Sequence, residues 1–239
     1  MYRLCIYISF IFPLLTYSQI RGVIIGDKGG LNDYSAFVVY IKEGDKLPKL
    51  TNKKTSIEIG QINKKFSPIV TAVNKNSEIL FKNYDDIYHN VFSLTPGNQF
   101  DLGVFKGNQS YTDKLQKKES KKTKKPIVKF KRPGKVKVFC NIHEDMMSTI
   151  YVFNHGYYAN VAKDGQFSLP VPKNGKVTIV LDGDRLEKPI SKKFDTTKIP
   201  SLLKIKFKSI ESKPIEKHSK KDGQKYDVKH WDIDEDDFY

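Results

Sequence analysis

The sequence predicts an all-β protein, and three observations carry that prediction. Short runs of β-branched and aromatic residues recur between clusters of Gly, Pro, Asn and Asp. Several of these runs alternate apolar and polar residues, as half-buried strands do. No window carries a sustained helical period. With 239 residues, the chain is long enough for one large domain or two modest domains with real cores.

The first segment, residues 1–18, has the pattern of a signal peptide. Arg3 supplies the positive start, Leu4–Leu15 the apolar run, and Thr16–Ser18 the small residues before a cut that precedes Gln19. The apolar run is too short to favour a membrane span, although an uncleaved anchor is the alternative. The pattern predicts export to the periplasm or the cell exterior, with no transmembrane segment after cleavage.

The segment after the signal, residues 19–54, contains two predicted strands, one within Arg21–Gly30 and one at Ala36–Ile41. The first runs into a Gly-rich turn, and a polar loop with Pro48 follows the second. These strands are dense in β-branched residues, which predicts that they pack in a core.

The central segment, residues 55–154, is the richest in predicted strands. A lysine-rich stretch, residues 113–126, interrupts it and is expected to be a surface loop, because charge runs are typical of solvated segments. The predicted strands are Ser56–Ile62, Ile69–Val73, Glu78–Phe81, Tyr88–Leu94, Ile127–Phe130, Lys135–Cys140 and Ser148–Phe153.

Residues 155–209 carry further predicted strands around Phe167, at Lys176–Leu181 and at Leu203–Phe207. The tail, residues 210–239, is charged and poor in aliphatic residues, so it cannot bury enough apolar surface to offset the entropy of ordering. We therefore expect a disordered C-terminal tail, with a docking motif at its aromatic residues as the alternative.

The chain has two cysteines, Cys5 and Cys140, and Cys5 leaves with the signal. A lone thiol outside the cytoplasm is exposed to oxidation unless it is buried or coordinated. The formal charge of +15 comes mostly from dispersed lysines. It favours a solvated surface over nucleic-acid binding, with steering toward an acidic partner protein as the alternative.

The candidate metal ligands are Cys140, His143 and Met146, which are spaced three residues apart, and His89, which lies upstream. Two imidazoles, a thiolate and a weak thioether are the donor set of a blue-copper centre. The set predicts one copper ion cycling between Cu(I) and Cu(II), with Cys140 as thiolate and Met146 on the axis. Met147 as the axial donor and zinc as the metal remain open.

These motifs resemble those of the cupredoxins. The loop Cys140–Met146 is similar to the ligand loop of amicyanin, and His89–Phe92 resembles the first-histidine strand of plastocyanin. The stretch 83–146 resembles, more closely, exported bacterial cupredoxin-like proteins of the methylamine-utilisation type. The resemblance implies a Greek-key sandwich, and it implies that the backbone of Asn90 helps to constrain the cysteine sulfur.

The flanks carry a second resemblance. Gly22–Ile41 is similar to the opening of transthyretin-like or carboxypeptidase-regulatory-like sandwiches, and Asp164–Gly175 to the closing half. The resemblance implies a second small β-sandwich, formed by the flanking segments, into which the cupredoxin segment is inserted. Generic edge strands and turns are the alternative.

The expected function is one-electron transfer to or from a redox partner protein, by a chain that is a monomer and not an enzyme. A copper carrier or sensor, or a degenerate cupredoxin serving as an envelope interaction module, are the alternatives. A hydrolase with Cys140 as nucleophile and His89 or His143 as base is disfavoured, since it leaves Met146 unexplained and supplies no oxyanion site.

Overall fold

The computed structural model describes residues 17–27, 31, 33–42, 47, 56–107, 126–208 and 223. The predictions for most of the signal peptide, for most of the lysine-rich stretch and for nearly all of the tail lie outside these residues. Tyr17 and Ser18, the last residues of the predicted signal, lie within the first strand, opposite Pro172 and Val171.

The described chain is built from strands, which confirms the all-β prediction. One short 3-10 turn, Thr196–Lys198, is present, and no helix among the described residues is long and apolar enough to span a membrane. The strands are β1 (Tyr17–Gly26), β2 (Phe37–Ile41), β3 (Ser56–Ile62), β4 (Lys65–Ser67), β5 (Val70–Asn74), β6 (Glu78–Asn83), β7 (Tyr88–Ser93), β8 (Phe100–Lys106), β9 (Ile127–Lys129), β10 (Gly134–Phe139), β11 (Met147–Phe153), β12 (Tyr158–Asn160), β13 (Gln166–Pro172), β14 (Lys176–Gly183), β15 (Ile190–Asp195) and β16 (Leu202–Phe207).

The strands form two pairs of sheets. A five-stranded sheet in the order β5-β11-β10-β7-β8 and a four-stranded sheet in the order β4-β3-β6-β9 use only strands from the central segment. A three-stranded sheet, β13-β1-β16, and a four-stranded sheet, β12-β2-β14-β15, use only the flanks. The flanking segments therefore form a second small sandwich, and β1 joins them through pairs such as Gly22 with Phe167.

Strand β11 connects the two hydrophobic cores because it is buried at every position. Alternate side chains of a strand point to opposite faces of its sheet. Ile150 and Val152 lie in the core that also holds Cys140, whereas Tyr151 and Phe153 lie in the core of the flanking sandwich. This is why Ile150–Phe153 is a continuous apolar run in the sequence.

A side-chain amide also ties the two sandwiches together. Asn160, at the end of β12, accepts a hydrogen bond from the Ala72 N–H at 2.6 Å and donates to the Ala72 carbonyl at 3.2 Å. Ala72 lies on β5, an edge strand of the five-stranded sheet, and is fully buried. The amide of Asn160 thus satisfies backbone groups that an edge strand leaves unpaired.

We expect Asn160→Ala to lower the free energy of unfolding by about 1–3 kcal/mol, because it leaves a buried N–H and a buried carbonyl without partners. Urea unfolding followed by circular dichroism measures the change. Asn154→Ala is the matched control, since Asn154 is exposed, as Asn160 is, but its side chain makes no hydrogen bond among the described residues. Equal stability of the two variants would contradict this connection.

Several strands depart from the predictions. The sequence reading missed β4, β8, β12 and β15, and β1 begins at Tyr17 instead of Arg21. Strand β10 ends at Phe139, so Cys140 follows the strand instead of closing it. The missed strands are short or lie at sheet edges. An edge strand buries little apolar surface, so its hydrophobic pattern is weak.

Candidate metal centre

One strand and the loop between two others position the candidate donors. His89 and Asn90 lie on β7, and the loop Cys140–Met146 joins β10 to β11. The Cys140 N–H donates to the Met146 carbonyl at 3.2 Å, and the Met146 N–H donates to the His143 carbonyl at 3.1 Å. These two bonds close the loop, so Cys140 and His143 are held in a fixed turn.

The structure brings three of the four predicted donors together in the interior. The Nδ1 atoms of His89 and His143 lie 3.1 Å apart, and the Cys140 sulfur lies 3.8 Å from the His143 Nδ1. One ligand atom from each residue lies within 4.8 Å of the others. His89 and Cys140 have no exposed surface, and His143 is 8% exposed.

These separations fit three donor atoms in a trigonal arrangement around a metal ion. With metal–nitrogen bonds of about 2.05 Å, two nitrogens 3.1 Å apart subtend an angle of about 100° at the ion. With a metal–sulfur bond of about 2.3 Å, the 3.8 Å separation corresponds to about 120°. The widest separation among the three donor atoms, which is at most 4.8 Å, would shorten by up to about 1 Å if an ion bound. The donors therefore fit a roughly trigonal His₂Cys site.

The two methionines lie on different sides of the sheet. Met146 is fully buried in the same core as Cys140. Met147 lies in a separate cluster with Phe92 and Phe139, and its sulfur is 4.0 Å from the Lys137 ammonium. Successive residues at the start of a strand point to opposite faces. The placement supports Met146 over Met147 as the axial donor, which stays a prediction.

Asn90 links the first-histidine strand to the ligand loop. Its backbone N–H donates to the Cys140 sulfur at 3.5 Å, which is the contact that the cupredoxin resemblance implied. Its side-chain oxygen accepts from the Asn141 N–H at 3.2 Å, and its amide nitrogen donates to Asp101 at 2.8 Å. The Ile142 N–H also donates to the sulfur, at 3.4 Å. The N–H groups of Asn90 and Ile142 thus both help to fix the position of the sulfur.

The sequence analysis missed a carboxylate at this site. Asp85 lies 2.8 Å from the Nε2 of His89, the ring nitrogen that faces away from the donors. The same carboxylate accepts the N–H groups of Asn63 at 2.7 Å and Lys64 at 2.9 Å, in the turn between β3 and β4. The sequence signal for it is the Asn83-x-Asp85 pattern just before the histidine, at the start of the stretch 83–146 that carries the resemblance.

Burial governs the protonation of the donors in the metal-free protein. Burial raises the pKa of the Cys140 thiol, although the Asn90 N–H opposes the shift. Burial also lowers the pKa of His89, against the effect of Asp85. Burial and the nearby His89 lower the pKa of His143 to about 4. Both imidazoles are therefore neutral near pH 7, as metal binding requires.

The depressed histidine pKa values predict that the metal-free protein loses stability on mild acidification. In the unfolded chain His143 takes up a proton near pH 6.5, whereas in the folded protein its pKa is about 4. Stability should therefore fall between pH 6.5 and about 4, by up to about 1.4 kcal/mol per pH unit from His143, and the lowered pKa of His89 adds an effect of the same sign. Urea unfolding across this range measures the slope, and His143→Gln should reduce it. A flat profile would contradict the prediction.

The solved structures to which this chain is similar include cupredoxins. The chain is similar to a Cu(I) mutant of amicyanin, with 13% identity, a TM-score of 0.32, and coverage of 41% of this chain and 82% of that one. It is similar to a purple cupredoxin from Nitrosopumilus maritimus, with 15% identity, a TM-score of 0.31, and coverage of 41% and 99%. It is also similar to the copper-containing nitrite reductase of Thermus scotoductus SA-01, with 16% identity, a TM-score of 0.33, and coverage of 48% and 25%.

No family model matches the chain, and no curated protein matches it. At the TM-scores above, the likenesses to solved structures carry no argument about function. The functional conclusion therefore depends on the side chains of the site: two imidazoles and a thiol gathered in the interior, with a buried methionine in the same core.

Proposed function

We propose that this chain is a cupredoxin-type protein that binds one copper ion and transfers single electrons. The observation that carries the proposal is the convergence of two Nδ1 atoms and one sulfur in a buried triangle, within 4.8 Å of one another. A bound copper ion would supply the Cu(I)/Cu(II) couple. His89, Cys140 and His143 would hold it, with Met146 as a weak fourth donor.

The surroundings of the donors support electron transfer because they limit rearrangement. Soft sulfur suits Cu(I), imidazole suits both oxidation states, and a geometry between their preferences lets the electron move with little reorganisation. The backbone N–H groups of Asn90 and Ile142 fix the position of the sulfur. Of these three donors only His143 keeps any exposure, 8%, so we expect the electron to enter and leave through this residue.

The site does not favour catalysis on a substrate. Four protein donors leave no open coordination position, which a catalytic metal needs. Among the described residues, no second cluster of His, Cys, Asp and Glu donors accompanies this one. Cys140 is fully buried and burial raises the pKa of its thiol, whereas a cysteine nucleophile requires access and a lowered pKa. We therefore propose a redox carrier, not an enzyme.

A copper carrier or sensor with the same donors is the second candidate. The 8% exposure of His143 supports it, since a ligand near the surface gives the ion a route of exchange. The two candidates differ in two measurable properties. An electron carrier cycles reversibly and keeps its copper against a chelator, whereas a carrier or sensor releases copper to the chelator.

The experiment that tests the proposal is the visible spectrum of the purified protein titrated with Cu(II). An intense thiolate-to-copper band that saturates at one equivalent, bleaches on reduction and returns on oxidation is the expected result. The matched variants are Met146→Leu and Met147→Leu. The first should keep the band and shift the reduction potential, and the second should change neither. A wild-type protein without the band would overturn the proposal.

Export and partner choice belong to the same proposal. The signal pattern at residues 1–18 supports a periplasmic or extracellular location, and the +15 formal charge supports steering toward an acidic redox partner. We propose that the mature chain acts there as a monomer. Salt dependence of the electron-transfer rate with an acidic acceptor protein would measure the steering, because screening weakens it.

A further inference from the structure

The exposed turn between β3 and β4 is connected to the metal centre through a single carboxylate. The turn residues Asn63 and Lys64 both have left-handed backbones, with φ of 53° and 56°. That conformation is uncommon for a lysine, because its Cβ crowds the following carbonyl. Here it aims two successive N–H groups at Asp85, at 2.7 and 2.9 Å. Successive N–H groups in a turn form a concave site for an anion.

Asp85 is held from its own side as well. The Asp85 N–H donates to the Asn83 side-chain oxygen at 2.9 Å, and the Asn83 amide donates to the carbonyls of Ile87 at 2.9 Å and Phe105 at 3.0 Å. Phe105 is the cross-strand neighbour of His89. The carboxylate is therefore fixed relative to the histidine by the strands themselves.

The carboxylate determines which nitrogen of His89 carries the proton. An ionised carboxylate only accepts hydrogen bonds. Since Asp85 already accepts two backbone N–H groups, its contact with Nε2 at 2.8 Å places a proton on that nitrogen. The Nδ1 lone pair is then free to face the Cys140 sulfur and the His143 ring. This orientation does not depend on a metal being present.

We propose that Asp85 is a positioning and charge-compensating residue for the metal centre, held by the β3–β4 turn, and that it lowers the reduction potential. The proposal rests on the copper function proposed above. One thiolate and one carboxylate balance the two charges of Cu(II), whereas the same pair leaves Cu(I) with one negative charge in excess. Asp85 therefore stabilises the oxidised state more than the reduced state, and outer carboxylates also raise the basicity of a ligating histidine.

The test separates the charge of Asp85 from its hydrogen bond. Asp85→Asn keeps an acceptor oxygen and removes the charge, and Asp85→Leu removes both. Asp86→Asn is the control, since it removes the same charge from the adjacent, exposed residue. Affinities for Cu(II) and Cu(I), the reduction potential, and the nitrogen chemical shifts of His89 in the metal-free protein are measured on each full-length variant.

We expect Asp85→Asn to lower the Cu(II) affinity by about 10–100-fold and the Cu(I) affinity by less. Each tenfold change in the ratio of the two affinities raises the one-electron potential by about 59 mV. His89 should keep its Nε2 proton in the wild type and in Asp85→Asn, and become a mixture of tautomers in Asp85→Leu. Asp86→Asn should match the wild type in every readout.

The proposal is overturned if Asp85→Asn and Asp86→Asn change the potential equally, since the effect would then be one of net charge alone. It is also overturned if His89 keeps one tautomer in Asp85→Leu. The tautomer is read in the metal-free protein, so this arm is independent of copper. A wild type without a thiolate-to-copper band, but with the Asp85-dependent tautomer, would reject the copper function and keep the positioning role.

Discussion

Cys140→Ser is expected to abolish the thiolate-to-copper band completely, the largest effect of any single substitution in this chain. The band arises from charge transfer between sulfur and Cu(II), and Cys140 is the only cysteine among the residues that the structure describes. A serine hydroxyl is a poor ligand for Cu(I), so the affinity for Cu(I) should fall by more than about 100-fold, which exceeds the loss typical of outer residues. Visible spectroscopy and competition with a Cu(I) chelator measure the two effects.

The fold should survive this substitution, which makes the result interpretable. A serine oxygen can accept the N–H groups of Asn90 and Ile142, as the sulfur does. Far-ultraviolet circular dichroism of the metal-free variant should match that of the wild type. Met147→Leu is the matched control for a change in the same loop region, because Met147 faces a different cluster. A band that persists in Cys140→Ser would show that copper binds elsewhere in the chain.

The ligand loop could be predicted from sequence because its donors are local. Cys140, His143 and Met146 are close in the chain, and the hairpin of β10 and β11 that holds them has a strong apolar pattern. The fold class could be predicted for the same reason, since buried strands such as β7 and β11 are rich in apolar residues. Local patterning therefore accounts for the all-β class and for three of the four predicted donors.

The role of Asp85 could not be predicted, because it depends on tertiary placement. In the sequence, Asp85 belongs to a polar turn before His89, and such turns are common between strands. Asp85 is held in place by hydrogen bonds from the N–H groups of Asn63 and Lys64, which lie in a different hairpin. The hairpin itself was missed, since β4 is only three residues long. No local sequence pattern specifies which carboxylate will accept hydrogen bonds from a turn that is distant in the chain.

The second sandwich shows the same division between local and tertiary information. The sequence indicated strands on both flanks, but it did not specify that β1 would pair in parallel with β16 and antiparallel with β13. It also missed β15, an edge strand with three exposed residues and no buried one. For β11 the sequence predicted a strand, Ser148–Phe153. Only the structure assigns the two faces of this strand to two different cores.

Copper is expected to raise the apparent stability of the folded protein substantially. At a free copper concentration 1,000 times the dissociation constant, linkage predicts about 4 kcal/mol for an ion that binds only the folded state. For a chain of this size, that corresponds to a rise in Tm of roughly 10 °C. Thermal unfolding with one equivalent of copper, and again after a chelator removes it, measures the shift.

The size of this shift reports how much of the site depends on folding. Cys140, His143 and Met146 remain neighbours in the unfolded chain and retain some affinity there, which reduces the linked stabilisation. His89 lies on β7 and joins them only when the sheet forms. His89→Gln should therefore remove most of the copper-dependent rise in Tm, measured against the metal-free Tm of the same variant, because His89 is buried and hydrogen-bonded to Asp85 and its replacement also changes the metal-free stability. If His89→Gln kept the full rise, the stabilisation would come from the local loop or another site, and the proposed convergence of β7 with the loop would be wrong.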